Sequence, residues 1–295
     1  MHRILFLIAV ALTISTAAIP EADRAKIDEL TAAKGSYTAA EDVYRVTFPR
    51  VDVKVTVEGR PMHPFLGLTS WAAFTASAHG GDLMVMGDLV LFEDEVNPVI
   101  SAALDNGLEV TALHNHFFYE SPRVMFLHIG GSGSAAKLAA AVKKALDAAK
   151  QVRAANLAMP SKFAGPAIPE TNSISAGPID QILGTKGQLN AGMYKATIGR
   201  PATMHGSKVG AQMGVNTWAA FAGSDDAAVV DGDFAMTATE VQPVLKALRK
   251  AGILIVAIHN HMTHEEPQYI FLHYWGKGSA ASLAKALRSA MDTQR

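Results

Sequence analysis

The stretch Leu113-His114-Asn115-His116 occurs a second time in the chain, as Ile258-His259-Asn260-His261. Each copy ends an apolar run that is typical of a buried strand, and each is followed by a short polar turn and a second apolar run. The full pattern is His-x-His-x3-Glu-x7-His in both copies. It is completed by Glu120 and His128 in the first copy and by Glu265 and His273 in the second.

The similarity between the two copies extends well beyond the histidines. Residues 44–50 match 194–200, and residues 70–74 match 217–221. From Asp88 and Asp233 onward the two halves align without a gap, which indicates a tandem duplication. We predict a first repeat unit over residues 23–150, a linker rich in Pro, Ala and Ser over 151–176, and a second repeat unit over 177–295.

The periodicity of each unit predicts strands and helices in the order β-β-α-β-β-α, after a leading helix and strand. In the first unit the last five predicted elements are a strand over 83–91 interrupted at Gly87-Asp88, a helix over 93–106, strands over 108–116 and 123–129, and a helix over 134–150. The predicted fold class is therefore α+β. We expect two similar lobes about a pseudo-twofold axis, each a largely antiparallel sheet with helices packed on it.

The repeated histidines are the leading candidates for the chemistry. Alternate residues of a strand face the same way, so His114 and His116 should lie on the face that carries Val110 and Ala112, which we expect to be the core face. Imidazoles with a carboxylate suit Zn(II), Mn(II), Fe(II) or Ni(II). The predicted metal ligands are His114, His116, Glu120, His128, His259, His261, His264, Glu265 and His273.

The second copy is the preferred site because it is richer in ligands, with His264 and Glu266 where the first copy has Tyr119 and Ser121. Structural interpretations stay open. The histidines can be satisfied by backbone or carboxylate groups, and the glutamates can be ordinary turn residues. A simple hairpin register places His128 opposite residues near 112, too far along its strand to join the pair. Against this, a polar His-Asn-His after an apolar run is costly to keep without partners.

Three further matched pairs are candidates for supporting roles. The acids that follow a glycine can support the ligands or break their strands, the tryptophans can belong to the core or contact a ligand, and the arginines can bind a carboxylate ligand or a structural acid. These pairs are Asp88 and Asp233, Trp71 and Trp218, and Arg50 and Arg200.

The composition and the amino terminus bear on location and partners. The net charge of −1 gives no basic surface for nucleic acid, and the chain has no Cys for disulfides, thiolate ligands or lipid attachment. Residues 1–18 resemble a signal peptide: a basic start, an apolar run over residues 4–14 that is too short for a permanent anchor, and small residues up to Ala18. We expect a periplasmic or secreted protein with no membrane anchor after cleavage.

Several stretches are similar to the LppY/LpqO-type family, a bacterial family of exported proteins named for mycobacterial lipoproteins and without an assigned function. They are Val85-Met-Gly-Asp-Leu-Val90, Glu93-Asp-Glu-Val-Asn-Pro-Val99, Glu109-Val-Thr-Ala-Leu-His-Asn-His116 and Glu120-Ser-Pro-Arg-Val-Met125. The resemblance covers nearly all of the chain after the signal peptide. It implies no activity or cofactor, and the lipid anchor that the name implies has no Cys here. The spacing His-x-His-x3-Glu is also that of the first cupin motif, but two helices in each unit exclude a cupin barrel.

These observations predict an exported protein with a duplicated divalent-metal site, acting as a hydrolase or lyase on an envelope-derived or polymeric substrate. The expected partner is an unknown small-molecule or envelope-derived ligand. A second hypothesis is a non-catalytic periplasmic protein that binds a small ligand through the same His and Trp residues. A third is a structural envelope protein whose histidines are satisfied within the fold.

Overall fold

The computed structural model of the protein describes residues 18–77, 82–156 and 158–294. The predicted signal peptide, apart from its last residue, lies outside the described residues. None of the helices in these ranges is both long enough and apolar enough to cross a membrane.

The two repeats contain helices and strands in the same order. The first repeat has α1 (Glu21–Thr31), β1 (Ser36–Thr38), β2 (Val43–Pro49), β3 (Thr56–Val57), β4 (Arg60–Pro61), β5 (Thr69–Ala76), β6 (Leu83–Phe92), α2 (Glu93–Asp105), β7 (Glu109–His114), β8 (Glu120–Ser121), β9 (Val124–Gly133) and α3 (Ala135–Ala155). The second has α4 (Ala176–Leu183), β10 (Gln188–Asn190), β11 (Met193–Gly199), β12 (Ala202–Met204), β13 (Ser207–Val209), β14 (Asn216–Gly223), β15 (Ala228–Met236), α5 (Val241–Lys250), β16 (Leu254–His259), β17 (Glu265–Glu266), β18 (Ile270–Gly278) and α6 (Ala280–Met291).

Twelve strands form one sheet in the order β1-β2-β5-β6-β9-β7-β16-β18-β15-β14-β11-β10. From either end inward, this order places equivalent strands of the two repeats at equivalent positions. The neighbouring strands are antiparallel, and the two halves meet where Leu113 of β7 pairs with Ile258 of β16. The predicted α+β fold with two similar lobes is confirmed. The lobes share one continuous sheet.

The helices pack against one face of this sheet, where they bury the main hydrophobic core. Strand β6 shows the division: Val85 and Leu89 lie in the main core, whereas Val90 belongs to a smaller cluster with Phe126 on the other face. Burial of each large apolar side chain contributes about 1.5–3 kcal/mol. Two three-stranded sheets, in the orders β4-β3-β8 and β13-β12-β17, lie beside the smaller clusters. The helix-free face also carries the repeated histidines.

Two side chains join the repeats at the centre of the sheet. The Asn97 amide accepts a hydrogen bond from the Ile255 N–H and donates one to the Ile255 carbonyl, and Gln242 makes the same pair of bonds with Val110. Strands β7 and β16 share only one registered pair, so these backbone groups lack ladder partners. The amides supply them from the opposite repeat and thereby fix the two halves together.

A bulge in each central strand overturns the expected face of the histidines. In β7 the pairing with β9 shifts between Val110 and Ala112, and in β16 the equivalent shift lies between Ile255 and Ala257. The extra residue reverses the alternation. Val110 therefore points into the main core, but His114 lies with Ala112 on the opposite, helix-free face. The expectation that the histidines continue the core face was wrong.

The predicted interruption of β6 at Gly87-Asp88 was also wrong, because the strand is continuous from Leu83 to Phe92. Gly87 is needed there for close packing. A Cβ at Gly87 would lie 2.8 Å from the Trp71 carbonyl oxygen and 2.9 Å from Cγ1 of Ile129. The glycine therefore lets three strands approach beside Asp88 without ending β6.

Candidate metal centre

The register of the second repeat places a carboxylate beside a histidine on the helix-free face. Asp233 of β15 pairs with His273 of β18, and His273 pairs on its other side with Ala257 of β16. Side chains directly opposite in an antiparallel pair lie about 4.5–5.5 Å apart at Cβ. Strand β16 ends two residues after Ala257, at His259, so its imidazole comes within reach of the same point.

His259, His261 and His273 form a stacked group around Asp233. The His259 ring centroid lies 5.1 Å from that of His261 and 4.9 Å from that of His273. The Phe271 ring packs against the His261 ring. Their centroids are 3.5 Å apart and their planes are nearly parallel. The aromatic packing fixes both rings of the His-Asn-His motif even though His261 lies beyond the end of the strand.

Asp233, His259 and His261 present donor atoms that all lie within 4.8 Å of one another. The Asp233 carboxylate is buried, with 1% of its side chain exposed. Its Oδ2 lies 3.1 Å from His261 Nε2, and its Oδ1 accepts a hydrogen bond from the Leu272 N–H at 3.0 Å. Two donors bound to one ion at about 2.0–2.2 Å lie roughly 2.9–3.5 Å apart, so the Asp233–His261 spacing fits a shared ion.

The other ring nitrogen of each imidazole faces a backbone carbonyl. His259 Nδ1 lies 3.3 Å from the Asn260 oxygen, His261 Nδ1 lies 3.3 Å from the Gly214 oxygen, and His273 Nδ1 lies 3.2 Å from the Gly232 oxygen. A proton on each Nδ1 satisfies these contacts and leaves the three Nε2 lone pairs free. This is the tautomer of metal-bound histidine whose second nitrogen donates to a carbonyl.

Three atoms of the group lack a hydrogen-bond donor or acceptor when each imidazole carries one proton, on Nδ1. His259 Nε2 is buried without a hydrogen-bond partner among the described residues. When His261 carries its only proton on Nδ1, its Nε2 and Asp233 Oδ2 are two acceptors facing each other at 3.1 Å, whereas a second proton on Nε2 makes the contact an ion pair. Burial raises the pKa of Asp233, while the imidazoles of His273, His261 and His259 act in the opposite direction. A cation between these atoms would satisfy all of them.

The first repeat forms a related group around Asp88, which pairs with His128. His128 Nε2 lies 3.0 Å from His114 Nε2, a spacing that also fits two ligands of one ion. Oδ1 of Asp88 is buried without a hydrogen-bond partner in the described part of the chain. His116 stacks on Phe126 at 3.3 Å, and burial followed by the charge of His114 lowers the pKa of His116.

The remaining predicted metal ligands lie outside these groups. Oε1 of Glu265 accepts a hydrogen bond from the Tyr269 N–H, and the strand of Glu265 pairs with β12. Glu120 lies 3.7 Å from the guanidinium of Arg123. The exposed His264 ring lies 5.3 Å from that of His205, on the neighbouring turn. These residues shape the rim beside the histidines but do not join the Asp233 group.

The matched arginines bind structural acids, whereas the matched tryptophans lie near the candidate metal ligands. Arg50 and Arg200 bind the buried acids Glu95 and Glu240 at 2.7 and 3.0 Å, where they hold the starts of α2 and α5. The tryptophans instead lie on the helix-free face beside the candidate ligands, because Trp71 pairs with Asp88 and Trp218 pairs with Asp233.

Sequence reasoning gave Asp233 only a supporting role and missed the basic residues over the tryptophans. The sequence does carry a signal for Asp233, since Gly-Asp recurs at matched positions in both repeats. The structure brings its carboxylate into the same group as His259 and His261. The basic residues, Arg45 and Lys195, also occupy matched positions, but only the register places them over the tryptophan rings.

A comparison with protein families matches the chain to a family described as Domain of Unknown Function (DUF1259), over residues 25–148 and 177–293. A comparison with curated proteins gave no match. Among solved structures, the crystal structure of a trimeric bacterial microcompartment shell protein, PduB, matches over 88% of this chain and 89% of that chain, at 14% identity. Its TM-score of 0.19 carries no argument about this protein.

Proposed function

The chain belongs to the family of domains of unknown function (DUF1259) that matches both of its repeats, and we propose that it is a divalent-metal-binding protein with its principal centre at Asp233, His259 and His261. The observation that carries this proposal is the shared orientation of the imidazoles. The Nδ1 atoms of His259, His261 and His273 face carbonyls, and the donor atoms of His259 and His261 lie within 4.8 Å of the buried Asp233 carboxylate. His273 is the fourth ligand in this proposal.

The donor set favours Zn(II), Mn(II), Fe(II) or Ni(II), because imidazole and carboxylate suit these ions and neither thiolate nor thioether contributes. Three protein ligands leave one position of a tetrahedral ion open, and four leave two positions of an octahedral ion open. The His261 side chain is 30% exposed, so solvent reaches the centre. A metal held there would supply Lewis acidity to a bound water or carbonyl group. Hydrolysis or lyase chemistry is therefore the proposed activity.

The related group at Asp88, His114 and His128 is a second, weaker centre in this proposal. It shares the register of the first, but His116 stacks on Phe126 and, among the described residues, forms no ion pair like that of His261 with Asp233. In the same residues only the Asp233 group brings three donor atoms within 4.8 Å of one another. The expected stoichiometry is therefore one tightly bound ion per chain and a second one that binds less tightly.

A non-catalytic ligand-binding protein is the second candidate. The half-buried Trp71 and Trp218, beside the two acids of the candidate centres, favour a ligand that lies on the helix-free face. Metal binding is common to both candidates. They differ in whether the bound ligand is converted.

Export and a closer family assignment are part of the same proposal. The basic start and apolar run of residues 1–18 support a cleaved signal peptide, hence a periplasmic or secreted location. The motifs around Gly87-Asp88 and the His-Asn-His stretch support membership of the LppY/LpqO-type group. Amino-terminal sequencing of the protein secreted by its native host tests the first of these, with a start at residue 18 or 19 expected.

The metal proposal is tested by elemental analysis of untagged protein purified from the periplasm. We expect close to one equivalent of a transition metal, which a His259→Ala/His261→Ala variant loses while its circular dichroism spectrum is unchanged. A His63→Ala/His264→Ala variant is the matched control. His63, whose Nδ1 accepts a hydrogen bond from the Phe65 N–H, and the exposed His264 both lie outside the Asp233 group, so two imidazoles are removed and the group stays intact. Wild-type protein that holds no metal and takes up none of the four ions would refute the proposal.

A further inference from the structure

The helix-free face holds an unpaired cation beside each candidate centre. The Lys195 Nζ lies 4.1 Å from the centre of the Trp218 ring, and the Arg45 guanidinium lies 4.2 Å from the centre of the Trp71 ring. Both basic residues are exposed, and in the described part of the chain neither forms an ion pair. An aromatic face restrains a cation without neutralising its charge.

The register puts these cations at a defined distance from the metal ligands. Trp218 pairs with Asp233 on one side and with Thr197 on the other, so β11, which carries Lys195, lies two strands from β15. Lys195 itself pairs with Ala220, which pairs with Asp231, so Lys195 is also displaced by two residues along the strand from Asp233. Two strand spacings of about 10 Å and two residues of about 7 Å place the two backbones about 12 Å apart. A ligand atom on a metal at Asp233 and a second group at Lys195 therefore belong to one small molecule of moderate length.

The charged residues between the metal ligands and the basic residue differ between the two repeats. Asp231, exposed on the same face as Asp233, opposes an anion in the second repeat, whereas Met86 occupies the equivalent place in the first. Arg45 also offers a planar fork that matches an oxyanion better than the ammonium group of Lys195. Both repeats nevertheless have a basic residue at this position, which points to a ligand with a negative charge that the basic residue binds.

We propose that the metal centre binds a dianionic small molecule, with one oxyanion on the metal and a second carboxylate or phosphate group on Lys195, and with Arg45 taking this role in the first repeat. This inference rests on the metal centre proposed above. It narrows the substrate class to compounds with two acid groups separated by a chain of several atoms.

The test is calorimetric titration of zinc-loaded protein, whose metal content is measured first, with unbranched dicarboxylates from malonate to sebacate and with butyrate as the monoacid. We expect one chain length to bind at least tenfold more tightly than butyrate. Lys195→Ala should remove this advantage and leave butyrate binding unchanged. Lys195→Arg should retain it, as should Lys208→Ala, which removes an exposed lysine on β13.

The outcomes separate the two proposals. Protein without zinc at the first step would fail the metal proposal itself. Zinc-loaded protein that binds dicarboxylates no better than butyrate, or equally well with and without Lys195, would overturn the dianion inference alone. Alkane diphosphonates of the same lengths, titrated in parallel, distinguish a phosphate-bearing ligand from a dicarboxylate. Arg45→Ala tests the first repeat by loss of the second, weaker binding event.

Discussion

Replacement of Asp233 by Asn should stabilise the metal-free protein and abolish its response to metal. Without an ion, Oδ2 of Asp233 and Nε2 of His261 are two acceptors 3.1 Å apart, on a carboxylate that is 1% exposed. The Asn side chain keeps the acceptor for the Leu272 N–H and can offer an N–H to His261. Removing a buried charge that faces a neutral imidazole and adding one hydrogen bond is worth about 1–3 kcal/mol.

Bound metal should make the wild-type protein more stable than the Asp233→Asn variant. Wild-type protein at a zinc concentration one hundred times Kd gains about 2.7 kcal/mol, and a variant without the carboxylate ligand gains far less. We therefore expect Asp233→Asn to melt above the wild type in EDTA, by about 2–4 °C for each kcal/mol, and below it in excess zinc. Thermal melting at pH 8, in EDTA and in excess zinc, measures both.

Asp231→Asn provides the matched control for this prediction. Asp231 is exposed on the same strand and the same face, so its replacement should change stability by less than about 0.5 kcal/mol with or without zinc. The reasoning fails if Asp233→Asn lowers the melting temperature in EDTA. It also fails if zinc raises the melting temperatures of the variant and the wild type equally.

Three further predictions concern the repeats and their junction. Gln242→Ala should lower the free energy of unfolding by about 2–4 kcal/mol in urea titrations, because both backbone groups of Val110 lose their partner. Lys246 is exposed on the same helix, and an equal loss in Lys246→Ala would contradict this. Burial acts to raise the pKa of Glu240, but the Thr237 N–H and Arg200 lower it below its ordinary value of 4.5. The contribution of Glu240 to the free energy of unfolding is therefore fully present above pH 4.5 and is lost as the pH falls through the lower pKa of the folded state. Glu240→Gln should therefore flatten the loss of stability below about pH 4.5, and an unchanged acid limb would refute this. His114→Ala should remove the weaker metal equivalent and leave the tight one, as measured by elemental analysis after dialysis.

Local periodicity was sufficient to predict the elements and the duplication. Helix α2 was predicted over 93–106 and spans Glu93–Asp105, because its apolar spacing and acidic first turn are local signals. The continuous sheet was not predictable, because it depends on a junction with a single registered pair, Leu113 with Ile258. Nothing local in either strand specifies that partner.

The candidate site shows the same division between local and non-local information. The histidine pairs are visible in the sequence, but the face they occupy depends on a one-residue bulge, which alternation alone does not reveal. The expected register was right, since His128 lies opposite Ala112. The concern about its distance was misplaced, because diagonal neighbours on one face are about 7–8 Å apart and the two imidazoles close that gap to 3.0 Å.

The palindromic order of the sheet has a consequence for how the two sites can evolve. In a homodimer of a single repeat, every substitution would appear on both sides of the central strands. Here the halves are one polypeptide, so each can change alone. His264 is the residue equivalent to Tyr119, and Lys195 is the residue equivalent to Arg45. One repeat can therefore keep its metal ligands while substitutions in the other change its ligand or leave it with a structural role only. Both repeats remain part of the same sheet in either case.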